Sequence, residues 1–206
     1  SGTAASLTAG TVTTNANLTG HVTSVGNAAV LGSFTIAQLN TAISDSNVGI
    51  TIATEQASTS GNNIDFTGIP AGTKRITIMC KGVSTNYGAA NRLIVQLGDA
   101  GGFKTTGYVV THTDFTTHTA FTNGFGQATQ ELITSVNDMI VHLYLEDSSD
   151  FTWFGESRSN RTDTTGVETS FGTKALSAEL TQVRVTTTVG ASSTFDAGVI
   201  NIQYEG

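Results

Sequence analysis

The amino-acid sequence predicts an all-β protein: an antiparallel β-sandwich of the jelly-roll type, preceded by a thin N-terminal segment with one short helix. Three observations predict this class. Stretches in which apolar and polar residues alternate recur from residue 46 to residue 206, as in strands with one buried face. Threonine, whose branched side chain favours strands, is abundant. One proline and 23 glycines leave most turns to glycine, asparagine and aspartate.

The first 45 residues are predicted to form a fibre shaft rather than a domain. Their most distinctive stretch, residues 15–34, reads NANLTGHVTSVGNAAVLGSF. Its valines and leucines are too sparse to bury a core, and each alternating piece is too short to form a stable hairpin alone. We therefore expect this segment to become ordered by packing against copies of itself.

A short helix is predicted near residues 35–44. Thr35 and Gln38 fit a capping box, in which each side chain satisfies a free N–H of the first turn. So short a helix is not stable alone, and its apolar residues follow one narrow stripe of coiled-coil type. The stripe therefore needs a partner, either the following domain or two symmetry copies. We expect symmetry copies in a homotrimer, with three interface candidates: Ile36, Leu39 and Ile43.

Residues 46–206 are predicted to form the β-sandwich head, with eight or nine mostly half-buried strands. Strand patterns occur in order at 48–53, 62–66, 75–81, 93–97, 107–113, 139–145, 151–153, 181–189 and 200–204. Because side chains alternate between the faces of a strand, the pattern also predicts which residues point inward. These are Ile76, Ile78, Leu93, Val95, Val141, Leu143, Val183, Val185, Ile200 and Ile202.

Three further residues have a predicted place in the head. Asn123 and Gly124, between two phenylalanines, predict a tight hairpin, because type I′ turns favour this pair. Cys80 continues the Ile76 and Ile78 face and is expected to be buried. It also excludes an internal disulfide, since it is the single cysteine.

Charge and hydropathy exclude several classes of function. The net charge is −7 and the isoelectric point about 4.8, without any cluster of lysine and arginine. Binding to nucleic acid needs a basic surface, so we expect no nucleic-acid partner. No stretch of 18 apolar residues occurs, so we also expect no insertion into a membrane.

Three blocks resemble proteins of tailed bacteriophages. NLTGHVTSVGNAAVLGSF (17–34) resembles the shaft segments of phage tail fibres. IDFTGIPAGTKRITIM (64–79) and KALSAELTQVRVTTTVGASSTFDAGVINIQYE (174–205) are similar to a C-terminal β-domain found at the ends of phage fibre and appendage proteins. Together the blocks cover about half of the chain. The longer IDFTGIPAGT phrase is more specific than VTSVGN.

The resemblance implies a homotrimeric virion structural protein, assembled in the cytoplasm of the host bacterium. Its expected function is that of a distal tail fibre, which attaches to the host cell by multivalent binding of a surface receptor, most plausibly a glycan. Its other partners would be neighbouring tail or appendage proteins of the virion. Two alternatives stay open: a non-adhesive virion component (head fibre, collar or connector) and a small glycan-degrading tailspike tip.

Catalytic and metal-binding signatures are weak. No nucleophile elbow, P-loop or dinucleotide-binding motif is present, so we expect no enzyme activity and no cofactor. Glu146, Asp147 and Asp150 form an acidic group that is typical of a solvated turn. His112 and His118 lack the spacing of metal ligands and are expected to be polar loop residues, with no metal bound.

Receptor binding is expected in the polar loops that carry aromatic and cationic side chains, because loops on a rigid sheet commonly present binding groups. Trp153 follows the strand pattern and is expected in the core or at a subunit interface. Tyr87 and Phe115 have an alternative role, packing against a neighbouring subunit. The four receptor-binding candidates are Tyr87, Phe115, Arg158 and Arg161.

Overall fold

The computed structural model describes residues 22–25, 28–31, 38, 49–88, 91–130, 132–162 and 166–206. The chain divides into two compact units, Ser1–Ser46 and Asn47–Gly206. In the first unit, strands β1 (Val22–Val25) and β2 (Ala28–Leu31) pair as an antiparallel hairpin. No helix in the described part of the chain has the length and apolar character that a membrane span requires.

The predicted helix near residues 35–44 lies outside the described residues, apart from Gln38, which is helical and exposed. The trimer-interface candidates Ile36, Leu39 and Ile43 also lie outside them.

The second unit consists of antiparallel strands, which confirms the predicted all-β class. Its strands are β3 (Thr51–Ile52), β4 (Gln56–Ala57), β5 (Ile64–Thr67), β6 (Arg75–Thr85), β7 (Asn91–Asp99), β8 (Gly102–Phe103), β9 (Val109–Thr113), β10 (His118–Phe121), β11 (Phe125–Gln130), β12 (Asn137–Asp147), β13 (Thr152–Arg161), β14 (Val167–Ala175), β15 (Leu180–Thr187) and β16 (Phe195–Glu205). A 3-10 turn, Gly190–Ser192, precedes β16.

These strands form two sheets that pack face to face. The large sheet has the order β10-β9-β14-β13-β12-β6-β16-β3, with β4 also paired to β16. The small sheet has the order β11-β7-β15-β5, with β8 paired to β7. One cluster of buried apolar residues, drawn from both sheets, fills the space between them.

The pairing within the two sheets is nested like one long hairpin. The antiparallel pairs run from the ends of the unit towards its middle: β4 with β16, β5 with β15, β6 with β12, and β7 with β11. Each sheet is then completed by a further pair, β6 with β16 and β7 with β15. Strands β9, β10, β13 and β14 extend the large sheet beyond β12.

The core contains every residue that the alternation pattern placed on an inward face. Ile76, Leu93, Val141, Val183, Ile200 and their five predicted companions are all buried. Trp153 is also buried in the core. Cys80 is buried as predicted, and this burial, together with nearby Asp138, raises the pKa of its thiol to about 12, so the thiol is neutral at physiological pH.

Phe125 fixes the distance between the two sheets. Its ring, on β11 of the small sheet, lies directly over Gly155 on β13 of the large sheet. A Cβ atom built on Gly155 would be 2.5 Å from Cδ1 of Phe125. Tyr108 meets the same ring edge-on at a centroid distance of 5.2 Å, and its hydroxyl accepts a hydrogen bond from the Leu97 N–H. Glycine at position 155 therefore allows a bulky ring at the centre of the core.

The hairpin predicted at Asn123 and Gly124 is wrong. The strand before it, β10, pairs in the large sheet, and the strand after it, β11, pairs in the small sheet. The segment is thus a crossover between layers. Gly124 is needed there because a Cβ atom would lie 2.9 Å from the carbonyl oxygen of Val95. Close passage of one backbone past another requires glycine as much as a tight turn does.

Gly155→Ala tests the close approach of the sheets. We expect this change to lower the free energy of unfolding by about 1–3 kcal/mol, since overpacking a filled core forces side chains from their rotamers. Phe125→Leu in the same chain should recover part of the loss, so the two changes should be less than additive. Urea denaturation of the single and double variants measures this coupling. Full additivity would show that the ring and the glycine are not in contact.

Candidate functional site

Three of the four receptor-binding candidates lie at one end of the large sheet. Strands β6, β9 and β13 run in the same direction, because each is separated from the next by one antiparallel strand. Their final residues therefore lie at the same end. Tyr87 follows β6, Phe115 follows β9, and Arg161 is the last residue of β13. With strands about 4.8 Å apart, β9 lies roughly 10 Å from β13 and roughly 19 Å from β6 across the sheet.

A polar cavity opens at this end, between the strand ends of the large sheet. Its volume is about 200 Å³, and we call it the end pocket. Charged and amide side chains dominate its lining, which includes Asp114, Asn137, Ser159, Arg161 and Glu168. Arg161 was expected to be a receptor-binding residue, and Asp114 directly precedes another such candidate, Phe115.

Asn137 is the most unusual residue of the end pocket. It begins β12 on the inward face and lies between Val83 and Arg161 on the neighbouring strands. Only 1% of its surface is exposed. Among the described residues, neither its Oδ1 nor its Nδ2 has a hydrogen-bond partner. Buried amides are nearly always paired, so this one needs an explanation.

Asp99 shows how the same domain treats a buried polar group with a structural role. Its carboxylate is equally buried but accepts hydrogen bonds from Lys104, from Ser177 and from the backbone N–H of Gly101. Burial raises the pKa of this carboxyl group, yet these hydrogen bonds outweigh burial and hold the pKa well below its usual range. Asp99 thereby joins the segment of Gly101 and Lys104 to the segment of Ser177, and all of these contacts are made within the domain.

A partly buried charged cluster lies behind the end pocket. His112 Nε2 is 3.4 Å from Glu168 Oε2 and 3.2 Å from Nη1 of Arg92. The Arg92 guanidinium also donates to the hydroxyl of Thr129 and lies over the ring of Phe121. Nδ1 of His112 is buried without a partner among the described residues. The inward face of the large sheet is therefore polar at this end and apolar around Phe125.

Glu168 connects the cluster to the end pocket, since it lines the pocket and also contacts His112 of the cluster. Burial raises the pKa of its carboxyl group, but the hydrogen bonds from His112 and from the Thr129 N–H outweigh burial. The net pKa is below the ordinary value of 4.5. Glu168 is thus a carboxylate at neutral pH. It contributes one of two negative charges to the described lining, the other being Asp114.

Hydrogen bonds from two threonines to Asp114 shape the turn that carries Phe115. Oδ1 of Asp114 accepts hydrogen bonds from the backbone N–H groups of Thr116 and Thr117, and from both hydroxyls. These bonds hold the pKa of Asp114 well below its usual range. Phe115 has a φ of 70°, which is rare for a bulky residue, and its ring is 69% exposed. The turn presents an aromatic ring to solvent beside the pocket lining.

Arg158 does not belong to this group. The stretch that contains it was expected to be a loop, but Arg158 is a strand residue of β13, opposite Ile140 and Thr169. It is exposed and lines a largely apolar depression of about 380 Å³ together with Met79 and Val167. This depression adjoins the end pocket, with which it shares Ser159, Asn160 and Val167. Alternation along β13 places Arg158 on the outer face, whereas its inward-facing neighbour Ser159 reaches the end pocket.

The expectation that His112 is a polar loop residue is also wrong. His112 is a buried strand residue on the inward face, and His118 is exposed on β10. His118 pairs with Thr113, the residue after His112, so the two imidazoles point to opposite faces and do not converge on one ion. His21 lies outside the described residues.

The acidic turn is exposed, and hydrogen bonds within the turn account for the positions of two of its carboxylates. Carboxylate oxygens of Glu146, Asp147 and Asp150 lie within 4.8 Å of one another. Asp147 accepts the N–H and the hydroxyl of Ser149, and Asp150 accepts the N–H of Thr152. The hydrogen bonds from Ser149 lower the pKa of Asp147. Two of the three carboxylates therefore shape the turn between β12 and β13.

Sequence reasoning missed Asn137, Ser159 and Glu168, although a signal for two of them was present. Asn137 precedes Met139 and Val141 at a spacing of two, so the same alternation that predicted the core places an amide on the inward face. Ser159 likewise follows Trp153 at an even spacing on β13. A polar residue at an inward position is the feature that predicts such a pocket.

Comparisons with protein-family models, with curated proteins and with solved structures found no match to this chain. The functional argument therefore depends on the residues themselves.

Glu168→Gln tests whether the cluster stabilises the domain through a charge. A carboxyl group whose pKa is lowered on folding stabilises the protein above its unfolded pKa, and this stabilisation is lost as the pH falls. We expect the variant to lose about 2 kcal/mol of unfolding free energy at pH 7, and much less below about pH 4. Denaturation curves at both pH values give the difference. An equal loss at both would contradict a charge-dependent role.

Proposed function

We propose that this protein is the distal part of a bacteriophage tail fibre, which attaches to the host cell through the pocket-bearing end of its β-domain. The observation that supports this most strongly is the convergence of Tyr87, Phe115 and Arg161 at one end of the large sheet. Exposed aromatic rings, a cation and a polar pocket on rigid strands are suited to recognition of a polar surface ligand. The phage-like sequence blocks supply the biological setting.

The domain that carries this end is proposed to be a jelly roll. A jelly roll is obtained when one long antiparallel hairpin is rolled into two packed sheets. The nested pairs β4·β16, β5·β15, β6·β12 and β7·β11 have this arrangement. Strands β13 and β14 are then an insertion between β12 and β15, and they carry Arg161, Ser159 and Glu168 to the end pocket.

The fibre is proposed to be a homotrimer. The outer face of the large sheet carries an apolar band of Val109, Phe154, Val167 and Phe171, in which the two phenylalanine rings lie 5.6 Å apart. Val109 is 74% exposed and Phe171 58%. Exposed apolar patches on a sheet commonly mark an interaction surface. A second copy of the chain is the proposed partner, because the core-poor N-terminal segment also requires packing against copies of itself.

Trimerisation would explain how weak single sites suffice for attachment. Three copies of one site on a rigid assembly raise the avidity far above the affinity of each site. This mechanism needs no bond cleavage, and we propose that the protein is not an enzyme. In the virion it would lie on a tail fibre or a related appendage.

Sedimentation equilibrium tests the trimer. We expect a mass of three times the 21.3 kDa chain at micromolar concentration. Phe171→Glu should shift the equilibrium towards the monomer, because it would bury an unpaired carboxylate in the interface. Ser60→Glu, an exposed site away from the apolar band, is the matched control and should stay trimeric. A monomer for the unmodified chain would contradict the proposal.

Cell binding tests the adhesive role. Purified protein should bind susceptible bacteria and compete with phage adsorption while leaving the surface polysaccharide intact. Alanine at Tyr87, Phe115 or Arg161 should weaken binding by tenfold or more without lowering the melting temperature. Lys74→Ala removes a cation at the start of β6, the opposite end of the sheet, and should have no effect.

Other outcomes would favour the alternatives. If the protein neither bound cells nor competed with phage, a non-adhesive head-fibre, collar or connector role would replace adhesion. Shortening of the polysaccharide by the purified protein would support a glycan-degrading tip.

A further inference from the structure

The end pocket contains a hydrogen-bonding group with no partner of its own. Both polar atoms of the Asn137 amide are buried and unpaired among the described residues. A buried amide without partners destabilises the folded state relative to an apolar side chain of similar size. Such a destabilising group is typical of functional sites, where a buried polar atom can lack a partner in the protein because a ligand supplies it. Asn137 is one of the residues that line a cavity of about 200 Å³, so a ligand in this cavity would lie against it, and a turn of its side chain would bring the amide to the ligand.

We propose that the end pocket binds one neutral pyranose unit of a surface glycan, and that the Asn137 carboxamide recognises two adjacent hydroxyls of that sugar. The carboxamide has one acceptor and a two-proton donor. A vicinal diol offers the complementary donor and acceptor. This inference rests on the proposed adhesive function and names the ligand class of its site.

The charges of the pocket favour a neutral sugar over an acidic one. Two carboxylates, Asp114 and Glu168, and one guanidinium, Arg161, line the described part of the cavity. The whole chain has a net charge of −7. A uronate or sialate carboxylate would enter a site whose lining already contains two carboxylates, those of Asp114 and Glu168. Carboxylates that accept hydrogen bonds from hydroxyls suit a neutral polyol.

The size of the cavity favours one sugar ring. Its 200 Å³ is below the roughly 300–1,000 Å³ of pockets for drug-sized ligands. It is equivalent to the liquid volume of about six or seven water molecules. The rest of a glycan chain would then run over the surface, where the exposed ring of Phe115 is available for stacking beside the pocket.

The position of Asn137 also suits a recognition role. It lies on β12, paired on both sides within the large sheet, so the amide is held by regular secondary structure rather than by a loop. Groups held in this way bind with little loss of conformational freedom.

Saturation-transfer NMR on the whole 206-residue chain tests the proposal. The probes are the methyl glycosides of glucose, galactose and mannose, with glucuronate and sialic acid as charged controls. We expect at least one neutral glycoside to bind, with a dissociation constant on the order of 1 mM, and the acids to bind at least tenfold more weakly. Absence of binding by all neutral probes, or stronger binding of the acids, would overturn the proposal.

Asn137→Leu separates recognition from folding. We expect it to abolish glycoside binding while the melting temperature stays the same or rises, because an unpaired buried amide is replaced by an apolar group. Asn123→Leu is the matched control: Asn123 also has a buried, unpaired Oδ1 but does not line the end pocket, so glycoside binding should persist. Retained binding in Asn137→Leu would overturn the proposal.

If Asn137→Leu does not fold, Ser159→Ala provides a second test. It removes a single hydroxyl from the pocket lining and should weaken glycoside binding at least threefold, whereas unchanged affinity would count against the site.

Cell binding by the same variants distinguishes this inference from the adhesive function. If Asn137→Leu binds cells as well as the unmodified protein does, the sugar site is wrong and adhesion stands. If the unmodified protein binds a neutral glycoside at Asn137 but does not bind cells, the site is correct and the adhesive function fails.

Discussion

The packing of β11 against the large sheet is the constraint on which the rest of the domain depends. Phe125 fills the space over Gly155, and the next residue, Gly126, accepts a hydrogen bond from the Ser157 hydroxyl. Two residues of β11 thus contact successive inward positions of β13, one through a ring and one through its backbone. This contact sets the separation of the sheets. It also marks the point at which the interior changes from apolar to polar.

The polar end of the interior distinguishes this domain from a sandwich that is built for stability alone. Around Ile78, Val141 and Val183 the sheets bury apolar side chains completely, and this part supplies the hydrophobic stabilisation. Beyond Phe125 the same strands place serine, histidine, glutamate and asparagine inward. The charged cluster there is paired through Glu168, Arg92 and Nε2 of His112, whereas both polar atoms of the Asn137 amide lack a partner among the described residues. In our proposal, stability and recognition are located at different points along the same strands, so that a rigid core positions a site that is itself suboptimal for folding.

Sequence alone predicted the strands and their inward faces because alternation is a local property, and each of Ile76, Leu93 and Val185 is buried as expected. It did not predict the crossover at Gly124, since a glycine required for close passage and one required for a turn look the same in sequence. Arg158 was assigned to a loop because its neighbours are polar. In the structure these polar residues belong to one strand, β13, with Arg158 on its outer face and Ser159 on its inward face at the end pocket. Three of the four candidate residues proved to lie at one end of the sheet, a result that needed the order of strands. Asn137 could have been found by asking which inward positions are not apolar.

A crystal structure of the full chain with a saturating neutral methyl glycoside is the most direct test of this account. We predict electron density for one pyranose ring in the end pocket, with two adjacent hydroxyls within about 3 Å of Oδ1 and Nδ2 of Asn137. The side chains of the apolar core should keep their positions. A structure in which Asn137 contacts only water while the glycoside binds elsewhere, or nowhere, would contradict the claim that the polar end of the core is a recognition site.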